Sequence, residues 1–133
     1  MNMTTIATEV ILDKNLPNGP FKLYCILAKY AGMNFAGGIS LDNAIIEDTS
    51  LSDCAFRVYC VLAIFAHTCP TSPLFLAPSN IGSLLGRSEG TIRKHLKTLI
   101  KKGSIEEKRY DFTNGLHDNY FVIHDCIRDK KEL

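Results

Sequence analysis

Apolar residues between Ala77 and Lys102 fall into two helical sets separated by a polar break. Ile81, Leu84 and Leu85 give a first short helix its apolar face, and Pro78 suits an opening turn whose N–H groups lack partners in any case. Ala77 precedes it without a side-chain oxygen to cap it, a loss of about 1 kcal/mol against Ser, Thr or Asp. Gly86 ends this helix because it is free to take positive φ. Ser88 N-caps a second helix, and Glu89 sits at the positive end of its dipole. At ~100° per residue, Ile92, Leu96, Leu99 and Ile100 gather in one sector about 100° wide. Lys94, Lys97 and Lys101 gather on the opposite side, in line with Gly90, with Arg93 on one flank and Thr91 and Thr98 on the other.

After Gly103 the period shortens. Ser104–Phe112 and His117–His124 read as two strands joined at Thr113-Asn114-Gly115, where Asn-Gly is a strong hairpin signal. Lys108 and Arg109 lie on the outgoing strand, and Leu74–Leu76 supplies a short additional strand. Upstream, His67–Phe75 is a loop in which Pro70 and Pro73 stop the preceding helix.

The first half of the chain contains a repeat. Shifted by 35 residues, Ile11–Ala31 lies over Ile46–Ala66 with nine identities in 21 ungapped positions, including Phe21/Phe56, Tyr24/Tyr59 and Cys25/Cys60. Two copies are too few for a solenoid, so this is a duplicated strand-plus-helix unit. Phe56–Ala66 is apolar all round except Arg57, the mark of a helix buried on most sides. Lys22 and Lys29 share one face of the first copy, which is expected to stay solvated at the periphery. Gly32–Gly38 connects the copies, and the first copy either supports the second or forms a subunit interface.

Composition narrows the function. A chain of 133 residues suits one core, and no apolar run approaches the ~20 residues of a membrane span. The N-terminus lacks the basic start of a secretory signal, so the expected location is cytoplasmic. Net charge is only +1, yet Arg87–Arg109 holds eight basic against three acidic residues and the remainder seven against eleven. A basic stretch on an acidic body orients a polyanion. The five cysteines are odd in number and form no C-x-x-C pair, which argues against both a zinc site and a disulfide framework. His67 with Cys69 and His124 with Cys126 read as packing. There is no P-loop and no G-x-S-x-G elbow, and Glu106 and Glu107 point to opposite sides of a strand. His95 borders the apolar sector as a packed side chain, so neither an enzyme nor a cofactor nor a metal is expected.

Two short helices around the Gly86-Arg87-Ser88 turn, followed by a hairpin, resemble a winged helix-turn-helix domain over residues 51–124. The resemblance implies an α+β, mainly α fold, with a three-helix core and a C-terminal hairpin wing after the duplicated N-terminal unit. The divisions are 1–38 for the N-terminal unit, packed on the same domain, 39–125 for the winged helix-turn-helix, and 126–133 for a frayed tail. Gly82 stands where the family usually has Ala. In this family the second helix enters the major groove. Arg87, Ser88, Glu89, Gly90, Thr91, Arg93, Lys94, Lys97 and Lys101 are then its contact residues, joined by Lys108, Arg109 and Asn114 from the wing. Glu89, Thr91 and Lys94 are placed for bases and the other cations for phosphates, although Glu89 serves equally as a helix-start charge. The partner implied is double-stranded DNA, bound by a homodimer, with no membrane. The run LDNAIIEDTSLSDCAFRVYCVLAIFAHT is also similar to the opening of plasmid and phage replication initiators, where a Leu-Ser start precedes a long aliphatic helix. Replication, promoter regulation and DNA partition all stay open, as does an interaction module that turns the same basic face to an acidic protein.

Overall fold

The 35-residue repeat is written into the backbone as well as the side chains. The computed structural model describes residues 3–32, 37–68 and 74–124. The first copy runs β1 (Met3–Ala7), α1 (Thr8–Ile11) and α2 (Asn18–Ala31). The second runs β2 (Gly38–Asp42), α3 (Asn43–Ile46) and α4 (Asp53–Thr68). Each start in the second copy lies 35 residues after its counterpart, and the repeat extends upstream of Ile11 to include a strand.

The strands pair antiparallel, with Thr5 opposite Ser40 and Met3 opposite Asp42. Thr5 and Ser40 are themselves counterparts, so an approximate two-fold axis passes through that pair. Their hydroxyl oxygens lie 3.4 Å apart. The same axis relates the helices. Phe21 and Phe56 pack at 5.8 Å between ring centroids. Arg57 stands 4.7 Å over the Phe21 ring, and its counterpart Lys22 stands 4.6 Å over the Phe56 ring. Cys25 and Cys60 are both fully buried, and burial pushes the Cys25 thiol up to about 12 and Cys60 in the same direction. One hydrophobic core takes side chains from both copies and from the C-terminal elements.

The first copy's helix does not keep the solvated lysine face that its sequence suggests. Lys22 is only 9% exposed, and Lys29 pairs with Glu47 of the second copy. The positions left outside are Leu23, Leu27 and Tyr30. The two lysines point toward the α3–α4 connection, where their stems cover apolar surface. By contrast α4 is buried nearly all round, as its composition requires.

Beyond α4 come α5 (Pro78–Leu85), α6 (Glu89–Lys102), β3 (Ile105–Asp111) and β4 (His117–Ile123), the strands forming an antiparallel hairpin. Helix α6 packs on α4 and α5, and Tyr59 donates from α4 to the His124 carbonyl at 2.5 Å. Leu74 makes a single bridge to Phe121, so the expected third strand is reduced to one residue pair. The fold is thus α+β and mainly α, with two small antiparallel sheets. Among the described residues, no helix is long and apolar enough to cross a membrane. Most of the Gly32–Gly38 connection, Pro70, Pro73, Cys69, Cys126 and the 126–133 tail lie outside the described residues.

Candidate nucleic-acid interface

Local chemistry sets the relation between α5 and α6. Gly86 adopts φ 69° as the C-cap of α5. Ser88 caps α6 by accepting from the Thr91 N–H at 3.2 Å, while its hydroxyl donates to Thr91 Oγ1 at 2.9 Å. Ala77 caps α5 with no side-chain hydrogen bond, as its apolar side chain dictates. Gly82 has a specific reason to be glycine. A Cβ there would stand 2.5 Å from the Arg87 carbonyl oxygen, and the Arg87 N–H donates to the Gly82 carbonyl at 2.9 Å. The close approach is between α5 and the turn that follows it.

Helix α6 buries Ile92, Leu96 and Leu99 and exposes Gly90, Arg93, Lys94, Lys97 and Lys101. The three lysines span about 10 Å along the axis. Gly90 has open space around its Cβ position, so a surface can approach the backbone there.

The cations divide into two groups. Arg93 is held by Glu89 one turn earlier, at 2.5 and 2.9 Å. Lys102 joins Asp48 at 3.3 Å and donates to Ser50, tying the end of α6 to the α3–α4 connection. Ser50 and Lys102 together hold the Asp48 carboxyl below its usual range. Lys108 lies 3.7 Å from Glu106, and Arg109 lies 2.8 Å from Asp111. Among the described residues, the exposed cations without an ion-pair partner are Lys14, Arg87, Lys94, Lys97 and Lys101. Four belong to α6 and its leading turn. The fifth, Lys14, comes from the first copy, and its side chain lies 3.8 Å from the Cβ position of Gly86. Nothing in the sequence around Lys14 signals this. The fold brings it beside a turn more than 70 residues away.

His95 is half-buried on the flank of this surface. Burial first, then the charges of Lys94 and Arg87, lower its pKa below 6.5. Those two cations therefore act at one place.

The hairpin offers a different chemistry. Lys108 pairs in register with Tyr120 and Arg109 with Asn119, so the two cations point to opposite faces and cannot approach one surface together. Asn114 accepts from the Leu116 N–H at 3.0 Å and closes its own turn, with Gly115 at φ 88°. On the Lys108 face Phe75, Tyr110, Phe112 and Tyr120 form an edge-and-tilt cluster with centroids 5.0–6.3 Å apart. A cleft of about 550 Å³ separates the hairpin from α6, with Arg93 and Lys97 on the helix side and Glu107 and Asp118 on the hairpin side. The structure thus brings together Arg87, Ser88, Gly90, Thr91, Lys94, Lys97 and Lys101, and it leaves Glu89 with Arg93 and the three hairpin residues engaged elsewhere. Among the described residues, no group of three His, Cys, Asp or Glu side chains is placed to hold a metal ion.

No protein-family model, curated protein or solved structure matches the chain.

Proposed function

We propose that this chain is a DNA-binding protein of the winged helix-turn-helix kind, acting in the cytoplasm as a transcriptional regulator or as a plasmid or phage replication or maintenance factor. The observation that carries the reading is the segregation of charge. The partnerless exposed cations of the described chain share one surface, while the cations elsewhere are held by carboxylates, carbonyls or a ring. On this reading α6 lies in the major groove, with Gly90 allowing close approach and Thr91 and Lys94 nearest the bases. Lys14, Arg87, Lys97 and Lys101 neutralise phosphates, and Lys94 meets a phosphate beside the base edge it faces, five contacts in all. Glu89 orients Arg93 and is a helix-start charge, and the hairpin braces the helix more than it contacts phosphate.

Salt tests this directly. Five phosphate contacts give a log–log salt slope of about −4.5 for a random-sequence duplex, and Lys94→Ala with Lys97→Ala should reduce it by roughly 2. The double variant should keep the wild-type unfolding midpoint, because both side chains are exposed. Equal affinity and slope in the two proteins would remove the groove assignment. A second reading, an interaction module for an acidic protein, turns the same unpaired cations of α6 to the partner's carboxylates and adds the exposed hairpin aromatics Tyr110 and Phe112. It predicts no measurable duplex binding even at low salt.

A further inference from the structure

The two copies differ most on the side of their long helices that faces away from the other copy. On α4 that side carries Val58 and Leu62, both fully buried, and Phe65, half-buried. The C-terminal elements that pack on α4 are α6 and β4. Counting back 35 residues, the same side of α2 carries Leu23, Leu27 and Tyr30, which are 56%, 58% and 77% exposed. A surface built to receive aliphatic side chains in one copy is repeated in the other with nothing among the described residues to cover it.

Two features identify the occupant. The first is charge. The exposed residues of α2 are Gly19, Pro20, Leu23, Leu27, Tyr30 and Ala31, none of them ionised. Lys22 is buried over the Phe56 ring, and the Lys29 ammonium, 4.2 Å from the centroid of the Tyr30 ring at the edge of the patch, is neutralised by Glu47. A two-fold contact sets a patch against its own image, so a stripe of one charge would repel itself and this one does not. The second is spacing. Leu27 lies midway between Leu23 and Tyr30, so two antiparallel helices would set Leu27 on Leu27 and each Leu23 against the other copy's Tyr30. The three side chains expose a patch on the order of 400 Å², so a two-fold contact through them buries on the order of 800 Å² in all, the size of a weak, reversible interface.

We propose that a second copy of this chain docks on α2, through an antiparallel α2–α2 contact centred on Leu27. This stands apart from the DNA reading, since the contact needs no nucleic acid.

Sedimentation of the full chain without DNA tests it. Wild type should pass from the mass of one chain to that of two as concentration rises. Leu27→Lys, Leu23→Glu and Tyr30→Lys should each weaken the dimer roughly 30-fold or more, as loss of a central anchor does. The unfolding midpoint measured at low concentration should stay at the wild-type value. Combining Leu23→Glu with Tyr30→Lys should restore association, because opposite charges then meet across the axis. A wild-type chain that stays monomeric at about 0.5 mM would overturn the proposal. So would a dimer indifferent to all three single substitutions, or a double variant no stronger than its parents.

Discussion

Arg57 and Lys22 occupy one place in two copies of the same unit, and their surroundings differ. Arg57 is 2% exposed and donates to the carbonyls of Ile11 at 2.9 Å, Asp13 at 2.5 Å and Val10 at 3.3 Å, and to that of Leu16. It also donates to Asn18 Oδ1 at 3.2 Å. The α1–α2 connection is therefore wrapped around a guanidinium. In the other copy Lys22 reaches only the Phe56 ring, and a cleft of about 520 Å³ opens beside it. Its lining includes Ile46, Leu51 and Asp53, the counterparts of Ile11, Leu16 and Asn18. The local hydrogen bonds of the two connections match, with Leu16 N–H to Asp13 and Leu51 N–H to Asp48. A connection with this backbone thus forms with or without a fork of donors inside it. What the fork adds in the first copy is an anchor for a chain segment that otherwise has little to hold it.

Arg57→Met gives the largest effect expected from this comparison. Methionine fills much of the volume but leaves the carbonyls of Ile11, Leu16 and Asp13 without their charged donor. Hydrogen bonds from a charged group are worth about 1.5–3 kcal/mol each and do not add fully, so a loss of roughly 3–4 kcal/mol is expected in urea unfolding. The α1–α2 connection should also become the first region to exchange its amide protons. A midpoint within error of wild type would mean that the two connections are equally self-supporting.

Lys22→Arg sharpens the same comparison from the other side, with a smaller effect. The longer planar side chain can enter the cleft, approach the Ile46 and Leu51 carbonyls and meet the Asp53 carboxylate, as Arg57 meets their counterparts. A gain of about 1 kcal/mol is expected, comparable to one net hydrogen bond. A loss of stability would show that Lys22 and Arg57 are equivalent in position only, and that the cleft is closed to a fork by its own packing.

What was legible in the sequence follows from the range of the forces involved. The Gly86 and Ser88 caps and the hairpin at Gly115 were readable because each is settled within a few residues. The helices of the repeat were readable because buried positions constrain identity, as at Phe21/Phe56 and Cys25/Cys60. A strand was expected in each copy, but its place upstream of Ile11 and Ile46 was not readable, since Met3–Ala7 and Gly38–Asp42 share no identical residue at matching positions and pair through backbone groups. The lysine stripe of α6 lies outside, as its periodicity suggests, whereas the stripe of Lys22 and Lys29 does not. Periodicity shows which residues share a face of a helix, and only the neighbouring chain decides whether that face meets water. Lys14 and the ion pairs of Lys102 and Lys29 escaped for the same reason, each depending on partners far along the chain.

The smallest expected effect belongs to the helix that only the second copy carries. His95 has its pKa held below 6.5 by burial and then by Lys94 and Arg87, so it is neutral near pH 7 in the free protein. Phosphates seated on those two cations would cancel their repulsion and let the imidazole take up a proton more readily. A group whose pKa rises on binding favours the complex at low pH, so duplex affinity should increase as pH falls from about 7.5 to about 5.5. Folding stability should move the opposite way. An unfolded histidine protonates near 6.5 while the native one resists, so stability declines as pH drops below that value and through the lowered native pKa. Partial exposure of the ring keeps both effects small, a few-fold in affinity at most. Comparing duplex affinity across this range for wild type and His95→Gln separates the coupling from general charge effects. The ratio of the two affinities should change with pH, and a constant ratio would place the bound phosphates away from Lys94 and Arg87.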